Sequence, residues 1–214
     1  MVQIIPTLFS TTEQEYLGRL AKLKYSTSFQ EDGWVQLDLM DGKFVPKTGI
    51  SMEVVKANRP SYNIEAQLMV ENPGEWVDGL IELKVNRIII PVEDENISEY
   101  IKKIKDNNIE IGLSLNPETK IEKLDSHLDL LDTCLLMGVK PGMEQQELDG
   151  GIYEKIMEVK RKKFRIRVGV DGGVNNNNIK ELVEAGVDYV AIGSYLFTGD
   201  FDENLETLWE VVNG

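Results

Sequence analysis

Short β-rich runs alternate with helix-compatible stretches along all 214 residues, and this alternation restricts the fold more than any other feature. The β-rich runs are Gln3–Pro6, Trp34–Leu39, Ile64–Met69, Arg87–Pro91, Glu110–Leu115, Thr133–Val139, Arg165–Val170 and Asp188–Ile192. The helix-compatible stretches are Glu13–Phe29, Pro73–Leu83, Ile97–Asp106, Tyr153–Lys162, Ile179–Ala185 and Glu203–Val212. Strands that alternate with helices are typical of a parallel sheet with crossover connections.

Two α/β architectures fit this order of elements, a closed barrel and a doubly wound open sheet. Apolar runs such as Arg87–Ile90 suit strands buried on both faces, as parallel sheets require. Eight strand–helix units in 214 residues lie near the lower limit for a barrel. The first turn, Pro6–Thr12, lacks the glycine-rich dinucleotide fingerprint of the open sheet. We therefore predict one (β/α)₈ TIM barrel domain over residues 1–214.

Composition excludes several classes of partner. The chain has 23 basic and 37 acidic residues, a net charge of −14, which argues against nucleic acid or a membrane surface as a partner. A small anionic ligand is still possible, because a few local donors can hold it. The one cysteine, Cys134, cannot form an intramolecular disulfide, which predicts a cytoplasmic protein. We expect Cys134 to be buried and the one histidine, His127, to lie at the surface.

Polar residues stand where the predicted strands end, at the rim on which barrels carry their chemistry. Asp38 lies at the end of the second strand, two residues after Gln36, so both side chains face the same side of the strand. Asp171 ends the seventh strand. If these strands approach from opposite sides, the two aspartates can flank one substrate carbon, one removing a proton and the other delivering one. Alternatively, each aspartate caps a helix or binds loop amides.

Glycine-containing turns follow the seventh and eighth strands. Val170–Val174 contains Gly172 and Gly173, and Gly193 and Ser194 follow the last strand. Barrels often bind phosphate at this pair of loops, and glycine lets the backbone approach the anion closely. We predict phosphate binding at these four residues, with ordinary turn formation as the alternative.

Six segments together carry a resemblance to one family. They are Ile5–Ser10, Leu37–Pro46, Leu68–Pro73, Leu115–Thr119, Val170–Val174 and Gly193-Ser194. The pieces Met-Asp-Gly-x-Phe-Val-Pro and Leu-Met-x-x-Asn-Pro are specific in this order and spacing. The chain resembles the ribulose-phosphate 3-epimerase family from Ile4 to about Phe197.

The resemblance implies a ribulose-phosphate-binding barrel, an isomerase of carbohydrate metabolism that epimerises a pentose phosphate or related ketose phosphate at C3. In the family two aspartates act as acid and base and bind divalent zinc, iron or manganese together with two histidines. The aspartates correspond to Asp38 and Asp171, which would be the metal ligands if a metal is retained. Gln36 and Gln67 stand at the histidine positions, and a carboxamide is a weak ligand. We expect no metal or a weakly bound one, with both glutamines binding the substrate.

Further pocket residues follow from the same resemblance. Ser10 and Met40 resemble residues that line the family's pocket. The loop after the sixth strand, Lys140–Gln146, differs from the family's Asn-Pro-Gly and Gly-Gly-Gln pieces, although Gly142 is kept. Lys140 can bind phosphate or an oxyanion, or it can be solvated, and Glu144 either lies near the phosphate or points to solvent.

Two functions follow from these residues. The first is a sugar-phosphate 3-epimerase that works through an enediolate with two aspartates and a weakened or absent metal. The second is a catalytically inactive sugar-phosphate binder with a regulatory or assembly role. In both cases the partner is a small sugar phosphate, and the family suggests a homo-oligomer.

Overall fold

Eight parallel strands form the centre of the molecule in the computed structural model, which describes residues 2–30, 32–162 and 165–214. The strands are β1 (Gln3–Pro6), β2 (Trp34–Met40), β3 (Asn63–Met69), β4 (Arg87–Pro91), β5 (Glu110–Leu115), β6 (Thr133–Met137), β7 (Arg167–Asp171) and β8 (Tyr189–Ile192). Their order is β1-β8-β7-β6-β5-β4-β3-β2. The amide of Leu8 donates to the Gln36 carbonyl at 2.7 Å and joins the two ends of the sheet. The predicted (β/α)₈ barrel is confirmed.

Helices connect the strands around the outside of the barrel. They are α1 (Glu13–Tyr25), α2 (Met52–Ala57), α3 (Gly74–Leu83), α4 (Ile97–Asp106), α5 (Ile152–Lys162), α6 (Ile179–Ala185), α7 (Ser194–Phe197) and α8 (Phe201–Asn213). Two 3₁₀ helices, Ile121–Leu124 and Leu128–Leu130, connect β5 to β6. Thr12 and Glu15 form a capping box at the start of α1, which explains why that helix begins there.

Several predicted boundaries were wrong. The first helix ends at Tyr25 and not at Phe29, because Ser26 is extended and its hydroxyl donates to Asp202. The sixth strand ends at Met137, and the seventh begins at Arg167 and includes Asp171. Helices α2 and α7 were not predicted, since six and four residues are too few to show a helical period.

Alternate residues of each strand face two different apolar regions. In β2, Val35, Leu37 and Leu39 pack in the layer between the sheet and the helices. A smaller cluster that includes Ile5 and Leu135 fills the barrel interior. Gln36 and Asp38 belong to the interior set, as their period of two predicts, and Gln36 Nε2 donates to Asp38 at 2.9 Å. This alternation directs polar residues of β2, β3 and β7 into the barrel mouth.

A buried ion pair closes the amino-terminal end of the barrel. Arg87 Nη1 donates to Glu65 at 2.7 Å, and both side chains are fully buried. The guanidinium also donates to Glu110 at 2.7 Å and lies 4.4 Å from the ring centroid of Trp34. This packing leaves the carboxyl-terminal end of the barrel for a site.

Two further expectations concern the chain as a whole. Cys134 is fully buried among apolar neighbours, as predicted, and burial raises the pKa of its thiol to about 12. No helix within the described parts of the chain combines the length and apolar character needed to cross a bilayer.

Candidate active site

Asp38 in β2 and Asp171 at the end of β7 meet inside the barrel mouth. Both are buried, with 3% and 9% of their surface exposed. Gln36 Nε2 lies between them, 2.9 Å from Asp38 Oδ1 and 3.2 Å from Asp171 Oδ2. Two carboxyl groups from opposite sides of the barrel are thus bridged by one amide nitrogen.

Gln67 in β3 completes this cluster. Its Oε1 accepts a hydrogen bond from Gln36 Nε2 at 2.8 Å, and its Nε2 donates to the Met137 sulfur at 3.0 Å. With the amide turned over, the Gln67 nitrogen donates to Asp171 Oδ2 at 2.8 Å and to Asp38 Oδ1 at 3.1 Å. The first orientation suits a protonated carboxyl, which donates to the Gln67 oxygen, and the second suits two ionised ones. Gln67 can therefore serve more than one protonation state of the aspartates.

Both carboxyl groups have raised pKa values. Burial raises the pKa of Asp38 well above its ordinary value, and the nearby Asp171 charge raises it further. Burial likewise raises the pKa of Asp171 from 3.8 to about 7, against the hydrogen bond from Gln36. Two carboxyl groups this close do not readily ionise together. The pair therefore favours holding one proton, so that one carboxylate can accept a proton while the other carboxyl donates one.

The four polar side chains occupy the positions at which the resemblance places the metal ligands, but they do not fit such a centre. Only two of them, Asp38 and Asp171, can ionise, and the Gln36 nitrogen lies between these two. The Gln36 oxygen points elsewhere, is buried and has no hydrogen-bond partner in the described part of the chain. Carboxamides are weak ligands for zinc, iron or manganese. Within residues 2–30, 32–162 and 165–214, no three His, Cys, Asp or Glu side chains are grouped so that they could hold a metal ion.

The glycine turns after β7 and β8 line a cavity beside the aspartates. Gly172 and Gly173 have φ values of +90° and +75°, and a Cβ on Gly173 would lie 2.8 Å from the Leu148 backbone. Gly193 and Ser194 line the same cavity, together with Asp38 and Asp171. Its volume is about 50 Å³, enough for a few water molecules. The structure thus brings the predicted phosphate turns and the aspartates into one narrow space.

The other predicted substrate-binding residues are placed differently. Gly142 lines the cavity, with φ at +85°. Ser10 and Met40 are buried, and the Ser10 hydroxyl donates to the Leu8 carbonyl at 3.1 Å. Lys140 is exposed and lies outside the lining of the cavity, while its carbonyl accepts from Gln146 at 2.7 Å. The structure therefore does not bring the Lys140 side chain to the site.

His127 and Asp41 also lie outside the cavity lining. The half-buried His127 immediately precedes the second 3₁₀ helix, between β5 and β6. Asp41 accepts from the amides of Lys43, Phe44 and Glu71 at 2.7–3.0 Å, which gives it a structural task in the loop after β2.

Arg19 is the residue that sequence reasoning missed. It projects from α1, and its Nη2 donates to both carboxylate oxygens of Glu144 at 2.9 Å. Arg19 is a charged residue three positions after the buried Tyr16 and four before the buried Leu23, on the inward face of the helix. A charge on the apolar face of an amphipathic helix was the available signal. For Glu144, the structure selects the alternative near the phosphate turns.

Comparisons with known proteins agree with this geometry. The model of the ribulose-phosphate 3 epimerase family matches residues 3–197. The ribulose-phosphate 3-epimerase of Aquifex aeolicus is 34% identical over 167 residues, which cover 75% of both chains. The protein of the same name from Escherichia coli K12 is 36% identical over 172 residues, 76% of each chain.

Solved structures with low sequence identity share the fold. A 3-hexulose-6-phosphate synthase from Salmonella typhimurium has a TM-score of 0.73 at 14% identity, covering 99% of both chains. The tryptophan synthase α-subunit from Pyrococcus furiosus has a TM-score of 0.72 at 16% identity, covering 97% of this chain and 98% of its own.

The fold and the site define a (β/α)₈ barrel protein with a buried pair of carboxyl groups at its carboxyl-terminal rim. Within that class, the chain belongs to the ribulose-phosphate 3-epimerase family.

Proposed function

We propose that this protein is an isomerase that epimerises a ketose phosphate at C3, with ribulose 5-phosphate as the first candidate substrate. The observation that carries the proposal is the meeting of Asp38 and Asp171 around Gln36 Nε2, beside the glycine turns. Family membership and the names of the curated relatives support a sugar-phosphate epimerase.

The two aspartates can exchange one proton with C3. The ionised carboxylate takes the C3 proton, and the electron pair of the C–H bond moves toward the C2 carbonyl to give an enediolate. The protonated carboxyl then delivers its proton to the opposite face of C3. The stereocentre is inverted, and the two aspartates have exchanged protonation states. The raised pKa values suit this role, since the acid still holds a proton near neutral pH.

The glutamines can stabilise the charge that develops on the enediolate. Gln36 and Gln67 are buried and end at the same point as the carboxyl groups. An amide donor aimed at a developing oxyanion contributes about 3 kcal/mol in favourable cases. A bound divalent metal supplies stronger Lewis-acid stabilisation. We therefore infer a reaction that relies on hydrogen bonds from amides and is slower than one with a metal centre.

The phosphate end of the substrate would lie at Gly172, Gly173, Gly193 and Ser194. The bare glycine backbone allows close approach of a phosphate oxygen to the amide groups. This arrangement directs the other end of the sugar toward Asp38 and Asp171, which line the same cavity.

A catalytically inactive sugar-phosphate binder is the second candidate. It is favoured by the glutamines at the family's histidine positions and by the Glu144 carboxylate close to the phosphate turns. Both candidates share the phosphate site and differ at C3.

The experiment that separates them follows ribulose 5-phosphate in D₂O, with protein that has been treated with a chelator. We expect inversion at C3 with deuterium incorporation, and no dependence on added Fe²⁺, Mn²⁺ or Zn²⁺. Calorimetric binding without exchange under any of these conditions would establish the inactive binder. A stoichiometric metal in the purified protein would contradict the role we give to Gln36 and Gln67.

A cytoplasmic location and a homo-oligomeric state stay predictions. We propose both together with the epimerase function, the first from the single reduced cysteine and the second from the family.

A further inference from the structure

Arg19 is a fixed cation at the edge of the candidate site. Its Nη1 donates to the Thr7 carbonyl at 3.0 Å, and its guanidinium carbon lies 4.8 Å from the centroid of the Phe197 ring. Only 15% of its side chain is exposed. Helix α1, the end of β1 and helix α7 therefore hold this guanidinium in one position, and its second terminal nitrogen points toward Glu144.

Glu144 covers the face of Gly193 that a phosphate would approach. A Cβ placed on Gly193 would lie 2.8 Å from Glu144 Oε1, 2.6 Å from Thr7 Oγ1 and 3.5 Å from Arg19 Nη1. The carboxylate therefore lies against the bare backbone of the predicted phosphate turn. Since Glu144 Oε1 already lies against Gly193, a phosphate group that approaches this backbone displaces Glu144.

A carboxylate and a phosphate are interchangeable partners for arginine. The planar guanidinium binds either anion through two parallel N–H···O bonds. Glu144 uses only part of this two-point contact, since both of its oxygens lie 2.9 Å from the one nitrogen Arg19 Nη2, while Nη1 donates to the Thr7 carbonyl. The chain thus supplies its own anion to a site that has the components of a phosphate site.

We propose that Arg19 binds the phosphate of the substrate and that Glu144 is an internal anion that competes for Arg19 until the phosphate displaces it. The segment Pro141–Gln146 then moves away from Gly193, and the guanidinium and the glycine turns hold the phosphate together. This inference rests on the proposed phosphate site and adds to it a binding residue and a competing residue. In this protein, where acidic residues outnumber basic ones by 37 to 23, Arg19 supplies the local positive charge that phosphate requires.

Calorimetry with inorganic phosphate tests the competition without any need for catalysis. We expect Glu144→Gln to bind phosphate at least about tenfold more tightly than the wild type, because the amide competes weakly for the guanidinium. Glu99→Gln is the control, since it removes an exposed glutamate charge from α4, between β4 and β5, and we expect a change of about twofold or less. Adding Arg19→Met to Glu144→Gln should weaken binding by about tenfold or more.

Other outcomes overturn the inference. Phosphate affinity that is unchanged or lower in Glu144→Gln excludes competition, and equal affinity of the single and double variants excludes Arg19 as a ligand. Absence of phosphate binding in every variant overturns it as well. If Arg19→Met fails to fold, Arg19→Lys in the Glu144→Gln background keeps the charge without the two-point contact, and we expect it to weaken binding by about threefold or more.

Exchange at C3 in the same variants separates this inference from the epimerase proposal. If the variants show the predicted order of phosphate affinities but no exchange at C3, the epimerase proposal is contradicted and the competition between Glu144 and phosphate is supported. Exchange in the wild type with equal affinities in all variants supports the epimerase and overturns the competition.

Discussion

Gln36 is the residue that connects the two carboxyl groups of the candidate site. Its amide nitrogen contacts both carboxyl groups, at 2.9 Å and 3.2 Å, and so holds them at one point of the barrel mouth. The pairing of Gln36 with Asp38 was predictable from period two along one strand. The contact with Asp171 was not predictable from one strand, because the two residues are 135 positions apart in the chain and meet only in the folded barrel.

The raised pKa of Asp171 predicts that the site destabilises the fold as pH rises. Below the ordinary pKa of 3.8, the folded and the unfolded chain both hold the proton on this carboxyl group, so its ionisation does not change the stability of the fold. Between 3.8 and about 7 the unfolded chain loses its proton first, so stability falls across this interval and stays lower above it. Asp171→Asn removes the ionisable group and with it this loss of stability.

We expect Asp171→Asn to raise the Tm by several degrees at pH 8 and to change it little at pH 4, as measured by calorimetric melting. About 1 kcal/mol corresponds to roughly 2–4 °C in a chain of this size. Asp32→Asn, at an exposed position before β2, is the control and should behave alike at both pH values. A lower Tm at pH 8 would show that the carboxylate stabilises the fold.

At the scale of elements, the strands were more predictable than the loops. Short β-rich runs predicted all eight strands, because each strand is buried under helices on its outward face and within the barrel on the other. The loop between β6 and α5 was not predictable, since contacts with distant residues determine its path. The Arg19–Glu144 pair, 125 positions apart, is of this kind. The sequence therefore predicted that the aspartates and the glycine turns lie at one rim and left the position of Glu144 open, but it did not predict the contact of Glu144 with Arg19.

Gly142 connects this loop to the loop after β2. Its φ is +85°, and a Cβ there would lie 2.6 Å from Val45 Cβ. Gly199 has a similar φ of +81° but no atom within 4 Å of its Cβ position. Gly199→Ala therefore reports only the free-energy cost of placing alanine in this backbone conformation. We expect Gly142→Ala to lower the free energy of unfolding by about 1–2 kcal/mol more than Gly199→Ala, measured by urea denaturation.

The same variant should also change substrate binding. Moving Gly142 away from Val45 shifts Pro141–Gln146, and with it Glu144, away from Gly193, so we expect a severalfold lower KM for ribulose 5-phosphate in Gly142→Ala alone. Equal effects of the two alanine variants on stability and KM would show that the contact with Val45 is unimportant.

In the molecule as a whole, the barrel has a buried ion pair at one end and the candidate active site at the other. Arg87 and Glu65 fill the amino-terminal end, whereas the carboxyl pair lies at the opposite rim. Breaking a buried ion pair leaves an uncompensated charge, which costs about 3–5 kcal/mol. We expect Arg87→Met to lower the Tm by roughly 10 °C, and the double variant with Glu65→Gln to regain part of this loss.

Thermal unfolding of these variants also tests the prediction that residues 1–214 form one domain. A single transition in every variant is expected, because β1 and β8 are hydrogen-bonded and all the strands share one sheet. Two separate transitions would contradict a single domain, and a Tm of Arg87→Met within 1 °C of the wild type would contradict the role of the ion pair.

We propose that Asp38 and Asp171 act on opposite faces of one carbon. The decisive measurement is incorporation of deuterium at C3 by chelator-treated Asp38→Asn and Asp171→Asn, starting from each C3 epimer separately. We expect each variant to lose inversion by about a thousandfold or more, and any remaining exchange to occur from only one epimer, a different one for each variant. Inversion at the wild-type rate in either variant would contradict it.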